Sequence, residues 1–94
     1  MSDSELVARQ VTVHGRVQGV FFRDSCRREA EEHGVGGWVQ NLEDGTVQAI
    51  FEGSPDAVAS MVAWTHDGPR HAVVKRVDVA DTELTGLTEF RLRG

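Results

Sequence analysis

Apolar residues recur along this chain at two different spacings, and the order of those spacings limits the folds open to it. Val7, Val11 and Val13 alternate with Ala8, Gln10 and Thr12, which predicts a strand over about 7–14. In FFRDSCRREAEEHG, Phe22, Cys26, Ala30 and His33 return at helical spacing with charges on the other faces. Gly34 suits the position just past a helix end, so a helix is expected over about 21–33. VGGWVQN and TVQAIFEG read as a second and a third strand, joined through Asp44-Gly45, a hairpin-turn pair. Ser54-Pro55-Asp56 combines a hydroxyl N-cap, a proline at the first helical position and an acid in the first turn. Val58, Met61, Val62 and Thr65 follow at i, i+3, i+4 and i+7, giving a second helix over about 54–66. HDGPRH breaks it; AVVKRVDVAD predicts a long strand over about 72–81, and EFRLR a short last one.

The order is therefore β-α-β-β-α-β with a tail strand. Each helix has one apolar stripe and each strand one apolar face. The economical solution lays both helices on one face of an antiparallel sheet and leaves the other face to solvent. Right-handed crossovers then predict an α+β, ferredoxin-like sandwich with a short extra C-terminal strand. At 94 residues the chain is expected to form a single domain over 1–94, with residues 1–5 flexible. A chain of this size buries roughly 60–70% of its unfolded surface, enough for one core. This fold hosts metabolite sensors, RNA binders, metal carriers and enzymes, so function must be read from particular residues.

Charge narrows the classes. The net charge of −5 argues against a general nucleic-acid binder, and with few aromatics and no tyrosine an RNA-binding sheet is not expected. No apolar run approaches the roughly 20 residues that span a bilayer, and MSDSELVARQ lacks the pattern of a signal peptide, so a cytoplasmic protein without membrane contact is expected. The lone Cys26 has no disulfide partner in the chain; its neighbours place it on the inner face of a helix, as a small core residue.

Against this acidic background one stretch stands apart. From Leu6 to Arg23 there is no Asp or Glu, while Arg9, Arg16 and Arg23 all fall there. Within it Gly15 and Gly19 bracket a short loop between the first strand and the first helix. Successive N–H groups in a tight glycine-containing loop can converge on an anion, and a helix N-terminus adds free N–H groups and a positive dipole end. Gly19 removes a Cβ that would obstruct close approach. Arg23 lies in the helix's first turn, where a positive charge is unfavourable, and a broken local rule of this kind often marks a site. The pattern is neither a Walker A loop nor a dinucleotide fingerprint. From the loop alone an anion site and a plain solvated turn both stay open. A second acid-free stretch, His33 to Leu42, closes on Asn41 near the end of the second strand. Asn41 is open between a partner for the loop and the first residue of the hairpin turn.

At these residues the chain resembles the acylphosphatase family. Two patterns carry the resemblance: GRVQGVFFR, Gly15 to Arg23, and GWVQNLEDGTVQAIFEG, Gly37 to Gly53. The likeness extends from the first strand through the EFRLR tail. It implies the same ferredoxin-like sandwich and an acylphosphatase activity, hydrolysis of the carboxyl–phosphate anhydride of acyl phosphates. The residues matching the family's site are Arg23, which binds the phosphate, and Asn41, which positions the attacking water. The backbone of Arg16, Val17, Gln18, Gly19, Val20, Phe21 and Phe22 matches its phosphate cradle. Two departures stand out. Leu42 replaces a threonine found in some relatives, so that Thr46 is expected to matter more as support for Asn41. The chain also stops at Gly94 where others often end in an aromatic residue.

The expected chemistry needs few groups. Phosphoryl transfer is catalysed mainly by positioning and charge stabilisation. The leaving carboxylate has a pKa of about 4–5 and departs without protonation, so no general acid is required. No cofactor and no metal are expected: His14, His33, His66 and His71 show no i,i+4 pair and no ligand spacing with an acidic cluster. His14 is expected on the solvent or edge side of its strand. Arg16 is open between pointing inward and facing solvent; Trp38 and Trp64 are expected to pack. The expected partners are a small acyl phosphate substrate, with inorganic phosphate as product and inhibitor, acting on a monomer of broad acyl specificity. The competing expectation is a non-catalytic module that binds a phosphorylated metabolite or a partner through the same cradle, with no use for Asn41.

Overall fold

The computed structural model describes residues 5–94. The expected flexibility of residues 1–5 thus falls outside the described residues, apart from Glu5, which is exposed. The chain forms β1 (Val7–Arg16), α1 (Phe22–His33), β2 (Gly36–Asn41), β3 (Val47–Gly53), α2 (Pro55–Thr65), β4 (Val73–Asp81) and β5 (Phe90–Arg93). Local signals act where the sequence places them. The Ser54 hydroxyl accepts from the Ala57 N–H at 3.3 Å and caps α2. Gly34 ends α1 at φ 70°, its N–H bonding back to Ala30 and Glu31 carbonyls.

The strands form one sheet in the order β4-β1-β3-β2-β5. β1 pairs antiparallel with both β3 and β4, and β2 antiparallel with β3. β5 pairs parallel with β2, so the sheet is mixed. The reason is topological: β4 and β5 lie on opposite edges, and the chain between them must cross the whole sheet before it pairs again. Both helices cover one face. Val11, Val13, Val39, Val47, Ala49 and Phe51 from the strands meet Phe22, Cys26 and Ala30 of α1 and Val58 and Met61 of α2. Phe22 and Trp64, 5.2 Å apart, join the two helices, and Phe51 and Phe90, 5.8 Å apart, join β3 to β5. Among the described residues, no helix is long and apolar enough to cross a membrane.

β1 runs further than its alternation predicts because of a bulge between His14 and Gly15. Past it, β4 pairs with Gly15 and Arg16 up to the edge of the loop. A Cβ on Gly15, at φ +130°, would lie 2.1 Å from the Val73 carbonyl oxygen, so only glycine lets β4 close here. The loop therefore springs from a paired strand end.

The crossing from β4 to β5 is tied down by a buried acid. Glu52, 4% exposed on β3, accepts from the Thr85 N–H at 2.8 Å, the Thr85 hydroxyl at 2.9 Å and the Gly86 N–H at 2.6 Å. Desolvation pushes its carboxyl up, but the donors of Thr85, Gly86 and Leu87 together outweigh that and hold it below its ordinary value of 4.5. The stabilisation is thus fully present above about pH 4.5 and lost as pH falls through the lowered pKa. Glu52→Gln, which turns an amide donor toward those donors, is expected to destabilise the fold by about 1–3 kcal/mol at pH 7. In denaturant melts the gap between variant and parent should narrow as the pH is taken below that range; an unchanged gap would mean that the charge is not what holds the crossing.

Candidate active site

The loop leaves β1 at Arg16 and reaches α1 within a few residues. Val17, 1% exposed, plugs into the core and fixes the start of the loop. Gly19 at φ 75° and Phe21 at φ 63° are both left-handed, and between them they turn the chain into the helix. Phe21 is the N-cap of α1 and offers no side-chain acceptor to the helix's first N–H groups. Among the described residues, none of the backbone N–H groups from Val17 to Phe21 donates a hydrogen bond within the chain. A row of free donors thus lines the turn and continues into the helix terminus, the arrangement that favours an anion. Left-handed backbone is costly for a bulky side chain, and the Phe21 ring is also 76% exposed. Two irregularities at one residue are typical of strain held at a functional position.

Arg23 lies in the first turn of α1, half-buried. One guanidinium nitrogen, Nη1, donates to the Arg93 carbonyl oxygen at 3.0 Å, so β5 reaches over to steady it. The Arg93 guanidinium in turn stacks on Trp38, 4.5 Å from the ring centre. Asn41 is the last residue of β2, opposite Val47. Arg23 and Asn41 line one open cleft of about 320 Å³ with Val17, Gly19, Phe21 and Phe22 of the loop; Asp24 and Leu92 complete its wall.

The side chains of the remaining residues singled out from the sequence do not line that cleft. Arg16 is exposed at the end of β1, opposite Val73. Val20 packs against the rim of the core. Gln18 turns its side chain toward the β2–β3 hairpin, where its Nε2 meets the carbonyl oxygens of Leu42 at 2.8 Å and Thr46 at 2.9 Å. The Thr46 hydroxyl donates to Asp44 Oδ1, 2.6 Å away, and the Thr46 N–H donates to the same oxygen at 3.0 Å. These bonds, the hydroxyl's first, hold the Asp44 carboxyl below its usual range, with the charge of His14 contributing. Arg93 and the Gln18 side chain are the contributors that sequence reasoning missed. Neither has a local signature, since each acts across the fold.

Other reactive groups are accounted for. Cys26 is fully buried, and burial, helped by Glu29, pushes its thiol far above the ordinary range, so it is no nucleophile at neutral pH. His14 lies 3.0 Å from Asp78 and 3.2 Å from Arg76, joining β1 to β4. His33 Nδ1 lies 2.8 Å from the Glu29 carbonyl oxygen. Among the described residues no three His, Cys, Asp or Glu side chains converge.

The family model described as acylphosphatase matches residues 9–92. An acylphosphatase of a Nocardioides species is 57% identical over 86 residues, 92% of this chain and 87% of that protein. One from Thermococcus kodakarensis is 49% identical over 94% of this chain and 97% of its own length. Among solved structures, an acylphosphatase from Coxiella burnetii superposes with a TM-score of 0.92 at 37% identity, covering 99% of this chain and all of that one.

Proposed function

The chain belongs to the acylphosphatase family, and from that premise we propose that it hydrolyses the carboxyl–phosphate anhydride bond of acyl phosphates at the cleft between the 17–21 loop and Asn41. The observation that carries this is the meeting of a row of free N–H donors, a guanidinium and a carboxamide in one cleft. The N–H groups of the loop and the fork of Arg23 take the three phosphoryl oxygens, whose negative charge persists in the loose transition state. The Asn41 carboxamide holds a water in line with the leaving oxygen. The water oxygen bonds to phosphorus as the bond from phosphorus to the anhydride oxygen breaks. The acyl group leaves as a carboxylate, and the water's proton ends on the released phosphate. Guanidinium and amide dipoles supply the charge stabilisation that a metal ion gives other phosphoryl-transfer enzymes, so the reaction proceeds without one. Every group of the cleft comes from one chain, which suits a monomer, and a reducing cytoplasm suits the lone thiol.

Purified protein is expected to hydrolyse benzoyl phosphate at an undiminished rate in excess chelator, with inorganic phosphate as a competitive inhibitor. Phosphate binding without turnover would make the chain a binding module. A rate abolished by chelator and restored by a divalent ion would remove metal independence.

A further inference from the structure

The Gln18 side chain does not line the cleft, yet it bridges the two segments that form it. Its carboxamide has two N–H donors, and both have an acceptor on the far side: the carbonyl oxygens of Leu42 at 2.8 Å and Thr46 at 2.9 Å. Those residues flank the Asp44-Gly45 turn, and Leu42 follows Asn41 directly.

The turn is closed without Gln18. The Leu42 N–H donates to the Thr46 carbonyl at 2.9 Å, the Gly45 N–H donates to the Leu42 carbonyl at 3.1 Å, and Asp44 holds Thr46 from inside. Each carbonyl has a second lone pair, and Gln18 takes both. The loop is likewise anchored on its own, by buried Val17 and by the β1–β4 pairing up to Arg16. The two bonds of Gln18 thus add little to either segment alone and fix one against the other. One segment carries the anion cradle and leads into Arg23; the other carries Asn41.

We propose that Gln18 is a positioning residue: its carboxamide latches the hairpin to the phosphate loop and so sets Asn41 at the distance from the bound phosphoryl group that in-line attack requires. This rests on the roles proposed above for the loop and Asn41. Displacements of about 1 Å in such an arrangement can lower a rate by about a hundredfold without touching the bound group.

The test uses Gln18→Met, which keeps the bulk and loses both donors, with Gln18→Glu as a second variant that sets a carboxylate against the two carbonyls. Either is expected to lower kcat for benzoyl phosphate by about ten- to a hundredfold, while KM and the inhibition constant of inorganic phosphate stay within about threefold of the parent. In an Asn41→Ala background, Gln18→Met should lower kcat no further, because it acts through the group already removed. A merely structural role would instead lower activity by the same factor in both backgrounds, or weaken phosphate binding with it, and either result overturns the latch. Titrating ¹⁵N-labelled protein with phosphate gives a readout that needs no turnover. In the parent, the loop amides and the Asn41 side-chain amide should both shift; in Gln18→Met only the loop amides should. An Asn41 signal that still responds overturns the latch. Parent protein that shows both shifts yet hydrolyses nothing overturns the hydrolase reading and leaves the latch standing.

Discussion

Arg23→Ala is expected to lower kcat/KM for benzoyl phosphate by about a thousandfold or more, and to weaken inhibition by inorganic phosphate at the same time. A guanidinium facing a transferring phosphoryl group is worth about 10³–10⁵ in rate where it has been measured. Among the described residues, Arg23 is the only cationic side chain lining this cleft. The loop N–H groups remain after the substitution, but they are dipoles and cannot replace a full charge. Substrate and product carry that charge in the ground state too, so affinity falls together with turnover. Stability should hardly move, because two effects oppose each other. A cation in the first turn of α1 opposes the helix dipole by about 0.3–1 kcal/mol, which its removal relieves. The bond from Nη1 to the Arg93 carbonyl is lost, at about 0.5–1.5 kcal/mol. Arg23→Lys, which keeps the charge without the planar fork, should recover affinity better than rate. Steady-state kinetics with phosphate inhibition, read beside a melting curve, decides the matter. Activity within tenfold of the parent would remove Arg23 from the site.

The two features that make Arg23 work differ in how visible they are in the chain. Its position is readable, since an arginine in an acid-free stretch at a helix start breaks a local rule. Its restraint is not, since the Arg93 carbonyl belongs to a short strand that arrives from the opposite edge of the sheet. The same divide runs through the fold. α2 is legible because its signals are local: a hydroxyl that accepts from Ala57, a proline, a stripe at i, i+3, i+4 and i+7. The parallel pairing of β5 with β2 is not, because it depends on how the chain crosses the sheet, and that crossing is held by Glu52, more than thirty positions before Thr85 and Gly86. A glutamate within TVQAIFEG reads as an ordinary polar alternation; only its burial reveals an anchor. Phe21 illustrates a further limit. Helical spacing starts the helix there, whereas the residue is a left-handed cap, and no sequence signature attaches to positive φ at a phenylalanine.

Asn41→Ala is expected to separate what Arg23→Ala leaves joined. The cradle and Arg23 belong to the 17–23 segment, and Asn41 enters from the end of β2, so its truncation leaves the anion site whole. Inhibition by phosphate should therefore stay within about threefold of the parent, while kcat falls by about 10²–10³, the loss typical of removing one preorganised hydrogen-bonding group from a reacting centre. Folding should tolerate the change: Asn41 is the last residue of its strand, and its backbone pairing with Val47 does not depend on the side chain. KM should stay near the parent's, since the carboxamide is assigned to the water and not to the phosphoryl oxygens. The contrast with Arg23 carries the assignment. A side chain that holds the nucleophile affects only the rate of a bound substrate, whereas one that holds phosphate affects binding and rate together. If Asn41→Ala raised the phosphate inhibition constant as steeply as Arg23→Ala, the carboxamide would belong to the phosphoryl oxygens, and the water would have to be held from the loop side of the cleft.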